Sequence, residues 1–519
     1  MHYRLDRVFS WIIISISVVI IAGLVFFITY SLDYSTNKPV YEYFYNLFAG
    51  DTVTFLYSLT AAAQCLAATL GILIALVLVI VQLTANRYTP KVVDIFITHW
   101  VNIFIISIFI ISIVYTLWVA HSITTSFVPR YSSLIAMSLV TICYSLILPY
   151  FLYLFNILKP INIINQIRDE AIMAIRRVHR DPSYDQKAKT LIINRMEQIA
   201  DISLSSVQVM DSEITHHSIW ALQSIINHYL MEKEAFHKSW YQVDEKHLLG
   251  LPRHIIEEMV KRESWVEFRV FRQFRVIFST AAGKMFDVNS AIAQAFRAFG
   301  IRAIEKKDIA VLELVIKYFN SLIRSSISMN DGRSAIDTLY QYRLLGERII
   351  ETHPDIAKKV VKYLNYYALI FVESGIRHTF ETVAYDLRKI NERAFKKQVA
   401  ERREYLEDFL RLQYKLDYNK NSKALRGLWR TYCALASFFL IMKDEEAART
   451  IYNELQRVPL EVLLELKVEI LSVTEAHYWE INDRIINYDY IPPEQKERLN
   501  TFFDWFIKDI DSKELKQEG

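Results

Sequence analysis

Glycine and proline are scarce in this sequence, with 11 of each in 519 residues. So few breakers argue against Gly-rich phosphate loops and a many-turned β architecture, and they favour long helices. Cysteine is scarcer still: Cys65, Cys143 and Cys433 are the whole complement. Two fall in apolar runs and one in a helical pattern, which speaks against a disulfide framework or a cysteine-built zinc site. An excess of one charge is missing too. The 60 basic residues are nearly matched by 57 acidic ones, for a net of +3. No bulk field draws such a chain to nucleic acid, and no nucleic-acid partner is expected.

Catalytic signatures are absent as well. No Gly-x-x-x-x-Gly-Lys, Gly-x-Gly-x-x-Gly, His-Glu-x-x-His or Gly-x-Ser-x-Gly occurs. His216, His217, His228, His237, His247 and His254 crowd one region, but their spacing fits no pair of metal ligands on successive helical turns. Exposed helix histidines are the plain reading of that cluster and a pH sensor the sharper one. The pairs Glu257-Glu258 and Glu445-Glu446 read as solvated helix faces. The expectation is no catalytic, cofactor-binding or metal site, no cofactor, and no enzyme.

What the chain has in quantity is apolar residues, 52% of the total and concentrated in its first third. Residues 11–32, 53–85, 101–120 and 132–158 contain no Asp, Glu, Lys or Arg. Each is long enough to cross a hydrocarbon layer of about 30 Å, which takes about 20 helical residues. The first is too long for a signal-peptide core and lacks a small-x-small cleavage site, so it reads as a retained anchor.

Arg4 and Arg7 precede the first run, Arg87 and Lys91 follow the second, and Lys159, Arg168, Arg176, Arg177 and Arg180 follow the fourth. The other two loops carry only Lys38 and Arg130 as basic residues. By the positive-inside rule both termini are cytoplasmic, and the expected setting is a prokaryotic inner or plasma membrane, with the lipid bilayer as the first partner. Tyr41, Tyr43, Phe44 and Tyr45 suit the outer interface.

The second run carries a pattern. Ala61, Ala68, Ala75 and Gln82 recur every seven residues, as do Gln64, Gly71 and Leu78. They form one small or polar stripe along a helix, with Ala67, Gly71 and Ala75 spaced as in small-xxx-small contacts. Two readings stand: close helix association, or a pore lining with Gln64 and Gln82 facing water. An amide in lipid is costly without a partner or a wet cavity. Charge-free spans speak against a voltage sensor or a carboxylate proton relay.

After this run comes an elbow, Arg87, Tyr88, Pro90 and Lys91, and Pro90 is expected to end the helix just before it. Here the sequence resembles a bacterial family of predicted integral membrane proteins known only as a domain of unknown function (2254). In that family a span ends in Gln-Leu, an aromatic-x-Pro-basic follows, and a short helix leads to the next span. The matching residues are Gln82, Leu83, Tyr88, Pro90, Lys91, Ile95 and Phe96, followed by the run from 101 to 118. The resemblance spans roughly residues 53–120. The family's downstream Ser-Pro-x-x-Asn-Asp-Pro is missing, and residues 291–304 keep only an Ala-Phe-Arg-Ala. The resemblance implies a membrane topology and no activity.

From Lys159 onward apolar residues recur at three and four with charges between them, the amphipathic helix pattern. The expected fold is all-α: a transmembrane domain of four spans over 1–158, a juxtamembrane helical region over 159–280, and a cytoplasmic helical domain over 281–519. Ala436, Phe439, Ala448, Tyr452, Leu455 and Pro459 match the small, aromatic and closing positions of a tetratricopeptide-type hairpin, although no 34-residue period runs across 304–443. An α-solenoid and an irregular bundle both remain open.

Residues 161–178 form an amphipathic helix whose Arg168, Arg176 and Arg177 are placed to meet anionic headgroups. The run Phe268-Arg269-Val270-Phe271-Arg272-Gln273-Phe274-Arg275 is a second candidate for lipid or partner contact, through Arg269, Arg272 and Arg275. Two functions of different class follow. One is a homo-oligomeric ion channel or pore gated by the cytoplasmic helices. The other is a membrane-anchored sensor or scaffold whose helices recruit a protein partner.

Overall fold

A computed structural model of the chain describes residues 52–87, 100–125, 127–157, 159–180, 184–242, 252–477, 484 and 486–517, with scattered positions between 17 and 28. Among the described residues every regular element is helical, and the one β contact is an isolated bridge between Thr124 and Phe127. The chain divides into two units, Met1–Ile167 and Arg168–Gly519. Residue 280, where the sequence suggested a boundary, lies in the last turn of a helix within the second unit.

The first unit holds α1 (Thr52–Arg87), α2 (Trp100–Ser122) and α3 (Arg130–Ile157). All three are long and apolar enough to cross a membrane. They match three of the expected spans to within two residues at each end. Three spans, not four, are therefore found among the described residues. The expected span at 11–32 lies outside them apart from isolated helical positions. Helix is the form these runs must take, because lipid offers no partner to a free backbone group. The polar side chains follow the same rule: Ser58, Thr60 and Thr69 each turn a hydroxyl back to the carbonyl four residues earlier, at 2.8–2.9 Å. Leu59 of α1, Val119 and Ala120 of α2, and Ala136 of α3 meet in a small core.

The helix α4 (Pro160–Arg180) runs across the division in the chain. Then follow α5 (Asp185–Gln208), α6 (Ser212–Glu232), α7 (Arg253–Lys261), α8 (Trp265–Ala281), α9 (Phe286–Glu305), α10 (Ile309–Ser328), α11 (Gly332–Thr352), α12 (Pro354–Glu373), α13 (Arg377–Lys396), α14 (Arg402–Leu410), α15 (Tyr418–Ile441), α16 (Glu445–Leu455), α17 (Leu460–Ser472) and α18 (Pro493–Gln517). From α5 onward they build two rows. Helices α5, α8, α10, α12, α14 and α16 stack in one, and α6, α9, α11, α13, α15 and α18 in the other. This is the stacking of an α-solenoid.

Its period is not that of tetratricopeptides. First-row helices begin at Trp265, Ile309, Pro354, Arg402 and Glu445, so a unit recurs every 43–48 residues. That is closer to the 40–47 or so of HEAT and armadillo units than to 34. Polar contacts between successive units keep the same spacing. Ser279 Oγ donates to Ser325 Oγ at 3.0 Å, Asn289 Nδ2 to Ser334 Oγ at 3.0 Å, Tyr367 OH to the Asn320 carbonyl at 2.8 Å, and Asn365 Nδ2 to the Asp408 carbonyl at 3.0 Å. The hairpin window read from sequence is real in its local form: Ala436, Phe439, Ala448, Tyr452 and Leu455 are all buried where α15 meets α16.

Between the rows runs an aromatic core. Phe271, Phe274, Phe296, Phe299, Phe319 and Tyr342 have no exposed surface, and the Phe319 and Tyr342 rings stack 4.9 Å apart. At Gly300 a methyl group would lie 2.6 Å from Leu345 Cδ2, so α9 and α11 approach closely only because that position has no side chain.

Candidate functional site on the first described span

With 36 residues, α1 runs about 54 Å at 1.5 Å per residue, well beyond the hydrocarbon thickness. One side of it faces the other two spans: Leu59, Ala63, Leu66, Leu73 and Val81 are buried. The small and polar stripe lies elsewhere. Ala61, Gln64, Ala68, Gly71, Ala75, Leu78 and Gln82 are all exposed, as is Ala67. A Cβ added at Gly71 would meet nothing within 4 Å. The stripe is therefore not used for contacts with α2 and α3.

Polar groups between α2 and α3 are treated differently. Ser112 and Thr116 have no exposed surface and bond to carbonyls four residues earlier at 2.7 Å. Cys143 Sγ reaches Ser112 Oγ at 3.2 Å, and Tyr150 OH donates to Asn102 Oδ1 at 3.4 Å. Inside the unit, then, polar side chains are buried and partnered. Among the described residues Gln64 and Gln82 make no side-chain hydrogen bond, and they point outward. The described part of the helix runs to Arg87, three positions before Pro90 in the sequence. The rest of the elbow, Tyr88, Pro90 and Lys91, lies outside the described residues, as do Tyr41, Tyr43, Phe44, Tyr45 and His247.

The expected lipid-facing arginines do not share a face. Arg168 is turned onto the Trp220 ring at 4.7 Å, and Arg177 onto Tyr184 at 4.4 Å. Arg269 is largely buried and pairs with Glu197 at 2.5 Å. Phe271 and Phe274, the aromatic half of that run, form core. Arg176 and Arg275 are exposed, and Arg272 is half-buried. The histidines are not gathered either. His216 Nε2 lies 2.8 Å from Asp287 Oδ2, His228 bonds to its own helix at Ser224, and His237 caps Ser239.

Two buried ionic networks carried no sequence signal, because their partners lie far apart in the chain. Lys233 donates to Glu267 Oε1 and Asp308 Oδ2, both at 2.7 Å, and Glu267 has no exposed surface. Burial works against the Lys233 ammonium, but the two carboxylates more than offset it and its pKa is raised. Burial pushes the Glu267 carboxyl up as well, against the pull of Lys233. In the second network Arg484, from the stretch between α17 and α18, forks onto Asp386 at 2.8 and 3.0 Å and donates to the Ile336 carbonyl at 2.8 Å. Arg343 Nε stands 2.9 Å from the same carboxylate, and Tyr488 lies 4.7 Å from the Tyr385 ring.

Residues 9–208 match the family described as a predicted membrane protein, DUF2254. The match is wider than the 53–120 window legible by eye: it covers the three described spans, α4 and α5. No curated protein matches the chain. Among solved structures the chain is similar to a circular tandem repeat protein with novel repeat topology and enhanced subunit contact surfaces. That likeness has 15% identity and a TM-score of 0.37, over 88% of this chain and 100% of the other. This is a membrane protein by its spans and by the family it matches.

Proposed function

We propose that the chain is the subunit of a homo-oligomeric membrane pore, lined by the small and polar stripe of α1 and gated by its helical solenoid on the cytoplasmic side. One observation carries the reading. In spans free of charge, the polar side chains between α2 and α3 are partnered, while Gln64 and Gln82 project from the opposite side of α1 with no hydrogen-bond partner among the described residues. An amide left in hydrocarbon costs several kcal/mol by rough measure, so that side of α1 calls for either a second copy or water. A ring of α1 helices supplies both, with small residues allowing close approach and the amides facing the axis.

The test is ion flux through the purified protein in liposomes, with and without Ala75→Trp. Residue 75 is exposed, so the larger side chain leaves the fold of the protomer undisturbed and acts only on what lies beyond it. Flux that falls in the variant, at equal incorporation, is the expected result. Equal flux through both proteins, or a strict monomer in nanodiscs, overturns the reading.

A second reading, a membrane-anchored scaffold, is favoured by the way Arg484 and Tyr488 are held. The faces of α11 and α13 grip this non-helical stretch through a carboxylate fork, a backbone carbonyl and an aromatic shelf, much as a solenoid grips a peptide. For that reading, retrieval of a specific partner by a piece beginning at residue 160, which keeps α4 whole, is the matching test. A cut at 279 would sever α8.

A further inference from the structure

The first-row helices α8, α10 and α12 enclose a groove of about 440 Å3 that neither reading above uses. Arg275 and Ser279 of α8 form one wall, Ser321, Arg324, Ser325 and Ser328 of α10 the floor, and Tyr367 of α12 contributes to the other side. The bond between Ser279 and Ser325 at 3.0 Å ties the first two together.

Among the described residues no acidic side chain lines this groove. Several arginines elsewhere in the second unit meet carboxylates, among them Arg262 with Glu313, Arg269 with Glu197, Arg430 with Glu469 and Arg484 with Asp386. Among the described residues Arg275 and Arg324 have no carboxylate within ion-pair distance. The neighbour of Arg324 is a neutral phenol, Tyr366 OH, at 3.1 Å.

Two uncompensated guanidiniums over a concave polar surface focus positive potential there. The serine hydroxyls add donors that can rotate. Ser321 and Ser328 now donate to carbonyls of their own helices, and can turn from these neutral bonds to stronger bonds with an anion. Guanidinium forks paired with hydroxyls match a phosphoryl group in geometry and in charge. The groove is larger than a bare phosphate needs and falls within the range of about 300–1,000 Å3 typical of small-molecule sites.

We propose that this groove binds the phosphoryl group of a phosphorylated ligand, with Arg275 and Arg324 as its charged contacts and the serines as its neutral ones. The inference stands whether or not the chain conducts ions. Two sources share the chemistry, a soluble phosphomonoester and a phospholipid headgroup. Isothermal titration of the full chain in a neutral detergent separates them, with glycerol 3-phosphate in one arm and dihexanoyl phosphatidylglycerol in the other.

Saturable binding of one probe to one site per chain is expected. Arg275→Gln and Arg324→Gln should each weaken it by about tenfold or more, as the loss of a charge-assisted contact implies. Arg403→Gln, which removes an exposed ion pair with Glu446 outside the groove, should leave it unchanged. Saturation by glycerol 3-phosphate identifies a soluble ligand, and saturation by the lipid alone identifies a headgroup. The proposal is overturned if neither probe saturates, or if the double variant Arg275→Gln/Arg324→Gln keeps the parent affinity with an unchanged melting temperature.

Discussion

At the scale of single residues, the buried triad of Lys233, Glu267 and Asp308 makes the sharpest demand on stability. Three charged groups, from the single turn after α6, from α8 and from the turn before α10, are drawn together, and Glu267 reaches no solvent at all. Removing one partner of such a set strands the other. Lys233→Met is therefore expected to cost about 3–5 kcal/mol near neutral pH, mostly as the penalty of an unpaired carboxylate. The pH dependence follows from the two directions. Lys233 has a pKa raised above its ordinary 10.5, so its contribution is complete below 10.5 and is lost as pH climbs through the raised folded value. Glu267 has a pKa raised above its ordinary 4.5, so the cost of its ionisation grows as pH rises past 4.5 and vanishes below it. The gap between parent and variant in denaturant midpoint should be widest between these limits and narrow at both ends. A gap that is flat from pH 4 to pH 11 would show that Lys233 contributes packing and not charge. None of this was legible in sequence. Lys233 and Glu267 are 34 residues apart, and each looks like any other charge on an amphipathic helix.

At the scale of elements, one device recurs. Asp211, Asp308, Asp331 and Asp444 each cap a helix, accepting from the backbone N–H three residues on. Each follows a residue with a left-handed backbone: Met210 at φ 56°, Lys307 at 55°, Asn330 at 52° and Lys443 at 59°. The left-handed residue ends one helix, the aspartate starts the next, and two helices are joined with almost no loop. Asp444 is a cap alone, and Asp444→Ala should cost about 1 kcal/mol. Asp331 does more, since its Oδ2 also accepts from the Gly283 N–H at 2.8 Å and so bridges one repeat to the next. Asp331→Ala leaves a second donor wanting, and about 2 kcal/mol is expected. Thermal unfolding of the two variants side by side checks the order; equal losses would mean that the bridge to Gly283 adds nothing. Aspartate at these positions could be read as a helix start from sequence. The residue before it could not, because methionine, lysine and asparagine carry no mark of a left-handed turn. The run from Phe268 to Arg275 was misleading for a related reason. Alternating phenylalanine and arginine is what an interfacial helix needs, and it is equally what a helix between two rows needs, with phenylalanines inside and arginines at the margins.

At the scale of the whole molecule, the division into apolar spans and a helical body was legible because lipid and water impose patterns that differ in kind: unbroken apolar runs in one, a three-and-four rhythm in the other. The repeat length was not. The period of 43–48 residues is carried by where helices begin and by pairs such as Asn365 with Asp408, while side-chain identity drifts from unit to unit. The stripe on α1 was visible as a pattern, but which way it faces was not, since only the partners of α1 decide that. With its exposure known, the association it implies can be tested on the unaltered protein. Cys65 is exposed on α1, four residues after Ala61 and three before Ala68, at the margin of the stripe. Cys143 and Cys433 are buried, and burial pushes the Cys433 thiol up, away from reactivity. Oxidation or a short bis-maleimide applied to native membranes therefore reports on one position. If copies of the chain meet along the stripe, a covalent dimer should form, and Cys65→Ser should abolish it. If Cys65 takes up a monofunctional maleimide fully while neither treatment joins two chains, the stripe does not lie between copies. The pore would then lose the assembly on which it depends.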